Sequence, residues 1–151
     1  MVVYMAEFII YGRLDGLNEY TSANRSNRYK GSQMKLKNES IVIEAIKRYQ
    51  LQKIKKYPIK LRITWYEKNK RRDVDNITFA TKFIQDALVK QGIIIDDSQK
   101  YINQLRHDVK VDKEYPRIEV QLIENNNTRK KSMLLMWYNF KFRRTPLFEW
   151  E

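Results

Sequence analysis

The sequence predicts an α+β fold: a single domain with a small mixed β-sheet packed by two main helices, in the order strand, helix, strand, helix, strand, strand. Three observations predict it. Short segments rich in β-branched and aromatic residues alternate with two longer stretches whose apolar residues recur at helical spacing. Gly12, Pro58, Gly92 and Pro116 punctuate the boundaries between them. At 151 residues the chain has room for one domain with a real core and not for two.

Taken in order, Phe8-Ile9-Ile10-Tyr11 ends a first strand that Gly12 closes. Residues Asp15 to Tyr29, rich in Asn and Ser, are expected to form an exposed loop. A helix is expected from about Gln33 to Lys56, with Ile41, Ala45 and Tyr49 on one face and Pro58 ending it. Leu61, Ile63 and Trp65 then alternate with Arg62 and Thr64, which marks a strand with one buried face. A second helix is expected from about Asn76 to Lys90, with Asp75 or Asn76 as its N-cap and Gly92 as its stop. Two strands follow, near Tyr101 to Val111 and Arg117 to Ile123, with a turn at Glu114-Tyr115-Pro116 between them.

Asn125-Asn126-Asn127 breaks this pattern, so the domain is placed at residues 1–124. Residues 125–151 form a basic, aromatic C-terminal extension of unknown role, with six aromatic and six basic residues. Its apolar run Met133 to Tyr138 is expected to dock on the domain or on a partner subunit.

Composition narrows the function. Thirty Lys and Arg against 18 Asp and Glu give a net charge of +12, which suits a polyanionic partner. No cysteine is present, which excludes disulfides and thiolate zinc sites, and the single histidine, His107, excludes a histidine-rich metal site. His107 sits in an expected strand, where a structural role is favoured over catalysis. No secretory pattern opens the chain, and no apolar run approaches the roughly 20 residues that span a bilayer. A cytoplasmic protein with no membrane partner is expected.

Against that basic background, five of the eight aspartates fall between Asp73 and Asp97. Asp73 and Asp75 are two apart, so in an extended segment their side chains point the same way and can converge on one hard cation. A divalent ion between acids and a phosphate makes such a cluster useful, which points to a magnesium-dependent nuclease. Taken singly the same acids suit plain structure, Asp75 as a helix cap and Asp96-Asp97 as a turn. Lys82 lies seven residues beyond Asp75, two helical turns and about −20° from the same face. A lysine there can stabilise charge developing on a phosphate, or it can simply pair with Asp86 one turn on.

The run Arg71 to Ile102, RRDVDNITFATKFIQDALVKQGIIIDDSQKYI, closely resembles RusA-type Holliday junction resolvases. Their pattern is Asp-x-Asp-Asn, a helix with Lys and Asp-Ala-Leu, then Asp-Asp. The resemblance extends to Gly16-Leu17-Asn18-Glu19-Tyr20, Ala23-Asn24-Arg25 and His107 through Glu124, about residues 4 to 124 in all. It implies a RusA-like endonuclease domain in which Asp73, Asp75 and Asp97 bind Mg²⁺ and Lys82 is catalytic. Between Asn76 and Lys82 this chain has three residues more than the shorter family pattern, which on an unbroken helix moves the lysine about one turn, ~4.5 Å. The resemblance also turns the segment from Asn18 to Lys30 towards DNA, with Asn18, Arg25 and Arg28 as contacts. Arg71 and Arg72, just before the acids, are expected to hold the phosphate beside the cleaved bond.

The expected activity is resolution of four-way junction DNA in recombination and repair. Cutting two strands of like polarity calls for two related sites, so a two-fold homodimer is expected. Two rivals remain open at this point: a non-catalytic basic DNA-binding protein, and a nuclease acting on other branched DNA.

Overall fold

The computed structural model describes residues 3–125 together with Trp137 and Lys141. Its four strands are β1 (Tyr4–Tyr11), β2 (Ile59–Glu67), β3 (Ile102–Val111) and β4 (Arg117–Glu124). Helices α1 (Leu17–Ser26) and α2 (Arg28–Tyr49) join β1 to β2, while α3 (Val74–Thr78) and α4 (Thr81–Lys90) lie between β2 and β3. The strands form one mixed sheet in the order β1-β4-β2-β3. β4 is antiparallel to both neighbours and β2 is parallel to β3, so the two helices after β2 supply the crossover that a parallel pair needs. The α+β expectation and its single mixed sheet hold.

Alternation along β2 builds the core. Ile59, Leu61, Ile63 and Trp65 are buried, while Lys60, Arg62, Thr64 and Tyr66 face the other way and are only partly covered. Register extends this across the sheet: Phe8, Val120 and Ile63 form one row, and Ile10, Ile118 and Trp65 another. Val42, Ala45 and Ile46 of α2 and Phe83, Ile84, Ala87 and Leu88 of α4 belong to the same core.

The helices depart from the sequence expectations in three places. The segment expected as a loop, Asp15 to Tyr29, is instead α1 and the start of α2. α1 buries no residue, so it lacks the apolar stripe by which a helix is recognised. Its ends are nonetheless well signalled: the Glu19 carboxylate accepts the Gly16 N–H at 3.1 Å, and the Asn27 side chain accepts the Lys30 N–H at 2.8 Å to start α2. α2 ends at Tyr49 rather than near Lys56, because Gln50 turns the chain with a left-handed φ of 49°. The second helix is broken at Phe79–Ala80, where the Thr81 hydroxyl donates to the Thr78 carbonyl at 2.6 Å.

β1, β2 and β3 all run in one direction, so their carboxyl ends meet at one end of the sheet beside the start of β4. The Gly12 N–H donates to the Pro116 carbonyl at 2.9 Å, and the Asp112 N–H to the Glu67 carbonyl at 2.8 Å, which closes that end. The acid-bearing turn leaves from here. Of the C-terminal extension, Trp137 is exposed with the Lys141 ammonium 4.7 Å from its ring. The rest of the run expected to dock, Met133 to Tyr138, lies outside the described residues. Among the described residues no helix is long and apolar enough to cross a membrane.

Two predictions come from the core. Ile63→Ala, at the centre of a row with no exposed surface, should lower unfolding stability by about 2–5 kcal/mol in urea titration. His107 accepts a hydrogen bond from the Trp65 indole at 3.1 Å, and burial lowers its pKa below the ordinary 6.5 despite the opposing charge of Asp108. The unfolded chain therefore takes up a proton that the folded chain resists, so stability should fall as pH drops below about 6.5 and level off once the folded ring also protonates. The same scan on His107→Phe should show a smaller fall over that interval.

Candidate active site

Two charged side chains set the turn after β2. Glu67 occupies an inward-facing position at the end of the strand and is buried. Arg72 folds back onto it, with Nε 2.6 Å from Oε1 and Nη2 2.9 Å from Oε2, and its Nη1 donates to the Leu14 carbonyl at 3.2 Å. The guanidinium expected beside Arg71 as a phosphate contact is thus committed inside the protein. Arg71 itself is exposed.

A second clamp lies three residues after Asp73. Asn76 is buried, and its Oδ1 accepts the backbone N–H of Asn18 at 3.0 Å. A β-carbon added at Gly16 would lie 2.5 Å from that Oδ1 and 2.6 Å from the Asn76 carbonyl oxygen, so this contact needs glycine. The β1–α1 connection is held from its other side by Asn38 of α2. Asn38 Oδ1 accepts the Asp15 N–H at 3.0 Å, and its Nδ2 donates to Asp15 Oδ2 at 2.9 Å.

Asp73 and Asp75 ride on this clamped turn. Asp73 is the N-cap of α3, yet its carboxylate makes no capping bond. Both acids are exposed, and neither side chain forms a hydrogen bond or ion pair with another described residue. The capping role that sequence alone left open is not the one these carboxylates take.

Lys82 and Asp97 meet beyond the helix break. The break between α3 and α4 carries the chain from Asp75 to Lys82: the Phe79 N–H donates to the Asp75 carbonyl, and the Lys82 N–H to the Phe79 carbonyl, each at 3.2 Å. Phe79 packs on Tyr20 of α1 at 5.3 Å and on Phe83 at 5.8 Å between ring centres. Lys82 Nζ then lies 3.3 Å from Asp86 Oδ1 and 3.6 Å from Asp97 Oδ2. Partial burial works to lower the Lys82 pKa, but the Asp86 and Asp97 carboxylates outweigh it and raise it above the ordinary lysine value. Asp96 is exposed, and the Asp97 backbone N–H holds its carboxyl below the usual carboxylate range.

Sequence reasoning had not assigned the network behind Lys82. Lys35 of α2 approaches Asp86 Oδ2 at 3.4 Å, and buried Glu39 pairs with Lys90. Asp86 thereby ties α2 to α4 and holds Lys82 from behind. The signal was the i,i+4 spacing of Lys82 and Asp86. Nothing in the local pattern pointed to Lys35, which arrives from another helix. The remaining expected DNA contacts lie on the α1–α2 corner: Asn18 in the first turn of α1, Arg25 in its last, and Arg28 opening α2, all exposed.

The donor set suits a hard divalent cation, since it consists of carboxylate oxygens. Asp73 and Asp75 offer theirs without internal competition, whereas Asp97 is engaged with Lys82 at 3.6 Å. Among the described residues no three His, Cys, Asp or Glu side chains are grouped closely enough to hold a metal ion by themselves.

Carboxylates held without partners at the end of a sheet, in a chain of net charge +12, suit a protein that meets a polyanion through a bound cation. The family model described as Endodeoxyribonuclease RusA matches residues 18–123. That is more than two thirds of the chain, and the chain belongs to the RusA endodeoxyribonuclease family. Its class of chemistry is therefore phosphodiester hydrolysis in DNA. A comparison with curated proteins returns no match.

The Gly16 contact gives a direct check. Gly16→Ala should force Asn76 away from Asn18 and lower stability by about 1–3 kcal/mol in denaturant titration, the usual range for overpacking. DNA cleavage at a temperature where the variant is fully folded should fall as well, because the turn bearing Asp73 and Asp75 moves with Asn76.

Proposed function

We propose that this protein is a Mg²⁺-dependent, structure-selective endonuclease that resolves four-way DNA junctions by paired nicks, acting as a two-fold homodimer. The observation that carries the reading is the pair Asp73 and Asp75, without partners in a strongly basic chain and fixed on a turn clamped by Arg72 and Asn76. Two acids two residues apart, fixed on one turn and left without partners, are available to a divalent cation brought with the substrate.

Asp73, Asp75 and Asp97 would hold the metal, which when bound supplies charge to the phosphate and an activated water. Lys82 stays protonated through neutral pH, because Asp86 and Asp97 raise its pKa. It therefore contributes positive charge to the transition state and does not act as a base. Arg71 and the α1–α2 corner, with Asn18, Arg25 and Arg28, contact the DNA backbone. Arg72 serves DNA binding indirectly, by fixing the turn from which Arg71 and Asp73 project. No covalent enzyme intermediate is required. A second subunit supplies the second incision on the strand of like polarity.

Cleavage of labelled four-way junction, fork and linear duplex, with and without Mg²⁺ and with incision sites mapped, tests the whole reading. Symmetric, metal-dependent cuts in the junction are expected. Preferential cutting of forks would make this a nuclease for other branched DNA. Asp75→Asn keeps the shape of the side chain and removes one charge from the site. Cleavage should drop by roughly two orders of magnitude or more, the scale of losing one transition-state stabiliser. Junction binding without Mg²⁺ should be retained or slightly tightened, since repulsion of phosphate falls. A folded Asp75→Asn protein that cuts at the original rate would remove the metal-site assignment.

A further inference from the structure

A cleft of about 400 Å³ lies beside the acid turn, between the ends of β1 and β2 and the start of β4. Its lining includes Gly12, Arg13, Lys68, Asn69, Arg71 and Pro116, over the Glu67–Arg72 pair. Four cationic side chains thus meet one carboxylate, and Arg72 already neutralises that one at 2.6 Å. Arg13 is partly engaged with Glu19 at 3.2 Å. Lys68 and Arg71 are exposed and form no ion pair among the described residues. The Asn69 side-chain oxygen accepts the Arg71 N–H at 3.0 Å, which shapes the segment and leaves the Asn69 amide hydrogens without a partner.

An unneutralised cleft of this kind, two residues before Asp73, has the chemistry of an anion site. The anion available in this setting is the DNA backbone. We infer that this cleft binds one phosphodiester of the strand being cut, adjacent to the scissile phosphate, through Lys68, Arg71 and the Asn69 amide. The inference rests on the endonuclease reading and adds to it a subsite that fixes the register of the strand. The floor explains why the subsite can be precise. Arg72 is immobilised from both sides, so the backbone leading to Arg71 has little freedom relative to Asp73. A bidentate guanidinium and a flexible ammonium together suit one phosphate better than two.

The test uses the full chain and junction DNA carrying one neutral methylphosphonate at successive positions around the incision site. For the wild type, one position flanking the cut should stand out by a marked loss of affinity in the absence of divalent metal. The Lys68→Gln/Arg71→Gln protein should bind the normal junction more weakly, with a log–log salt slope shallower by about one unit, as expected for one lost phosphate contact. It should also be insensitive to the methylphosphonate at that one position while keeping the wild-type response elsewhere. Lys53→Gln/Lys55→Gln removes the same charge from exposed positions near the start of β2, at the opposite end of the sheet, and should leave the position-specific response intact. Equal losses for both double variants, or a methylphosphonate effect that persists in Lys68→Gln/Arg71→Gln, would overturn the inference. Failure of the wild type to bind or cut junctions would instead overturn the endonuclease reading.

Discussion

The buried pair of Glu67 and Arg72 is the constraint on which the site depends. At side-chain exposures of 10% and 12% it lies largely outside water, where two isolated charges would each be costly. Two direct contacts to the carboxylate and a third to the Leu14 carbonyl make the pair tolerable there. Its contribution to net stability is small compared with an apolar replacement of the same shape, whereas removing one partner alone costs about 3–5 kcal/mol. Such a pair is retained for geometry. It ties the end of β2 to the β1–α1 connection, and Asn76 repeats that tie three residues beyond Asp73. The two acids sit between these fixed points.

That arrangement answers the electrostatic problem of placing acids in a basic protein. With an excess of twelve positive charges, an aspartate on a mobile loop would find a lysine or arginine to pair with, and would then compete poorly for a metal. Holding the backbone of Val74 and Asp75 in a short helix keeps both carboxylates where no described side chain reaches them. The cations nearest in sequence are accounted for differently: Arg72 is turned inward onto Glu67, and Arg71 lines the neighbouring cleft. Charge separation at the site is thus built from the backbone outward.

β2 and β4 were legible because each pairs one buried and one partly exposed face, and period-two alternation survives in Ile59 to Glu67 and in Arg117 to Leu122, whereas β3 buries only Ile102. Asp73 and Asp75 were legible as acids at a strand-to-helix junction, although Asp75 lies inside α3 and not in the extended segment that would point both side chains the same way. α1 was not, because it buries no residue and is held by ring contacts of Tyr20 and by its Gly16 approach to Asn76, both long-range. Arg72 was misplaced for want of one inference. Glu67 continues the inward alternation of β2, and an inward carboxylate needs a cation within reach. An arginine five residues on, across a turn, was the available one.

The three residues that set this chain apart from the shorter family pattern also find a physical place. On an unbroken helix they would carry Lys82 about a turn, ~4.5 Å, beyond the acids. The structure ends α3 at Thr78 and begins α4 at Thr81, so a helix break and not an unbroken helix separates Asp75 from Lys82. Phe79, at that break, packs between Tyr20 and Phe83, which anchors it to α1 on one side and α4 on the other. Lys82 then emerges in the first turn of α4 with Asp86 one turn behind it and Asp97 in front. Its position is set by α4 and by the Lys35–Asp86 link to α2. The acids, in turn, take their position from β2 and the β1–α1 connection. The acids and the lysine are therefore supported separately, with the Phe79 ring contacts at the helix break between them.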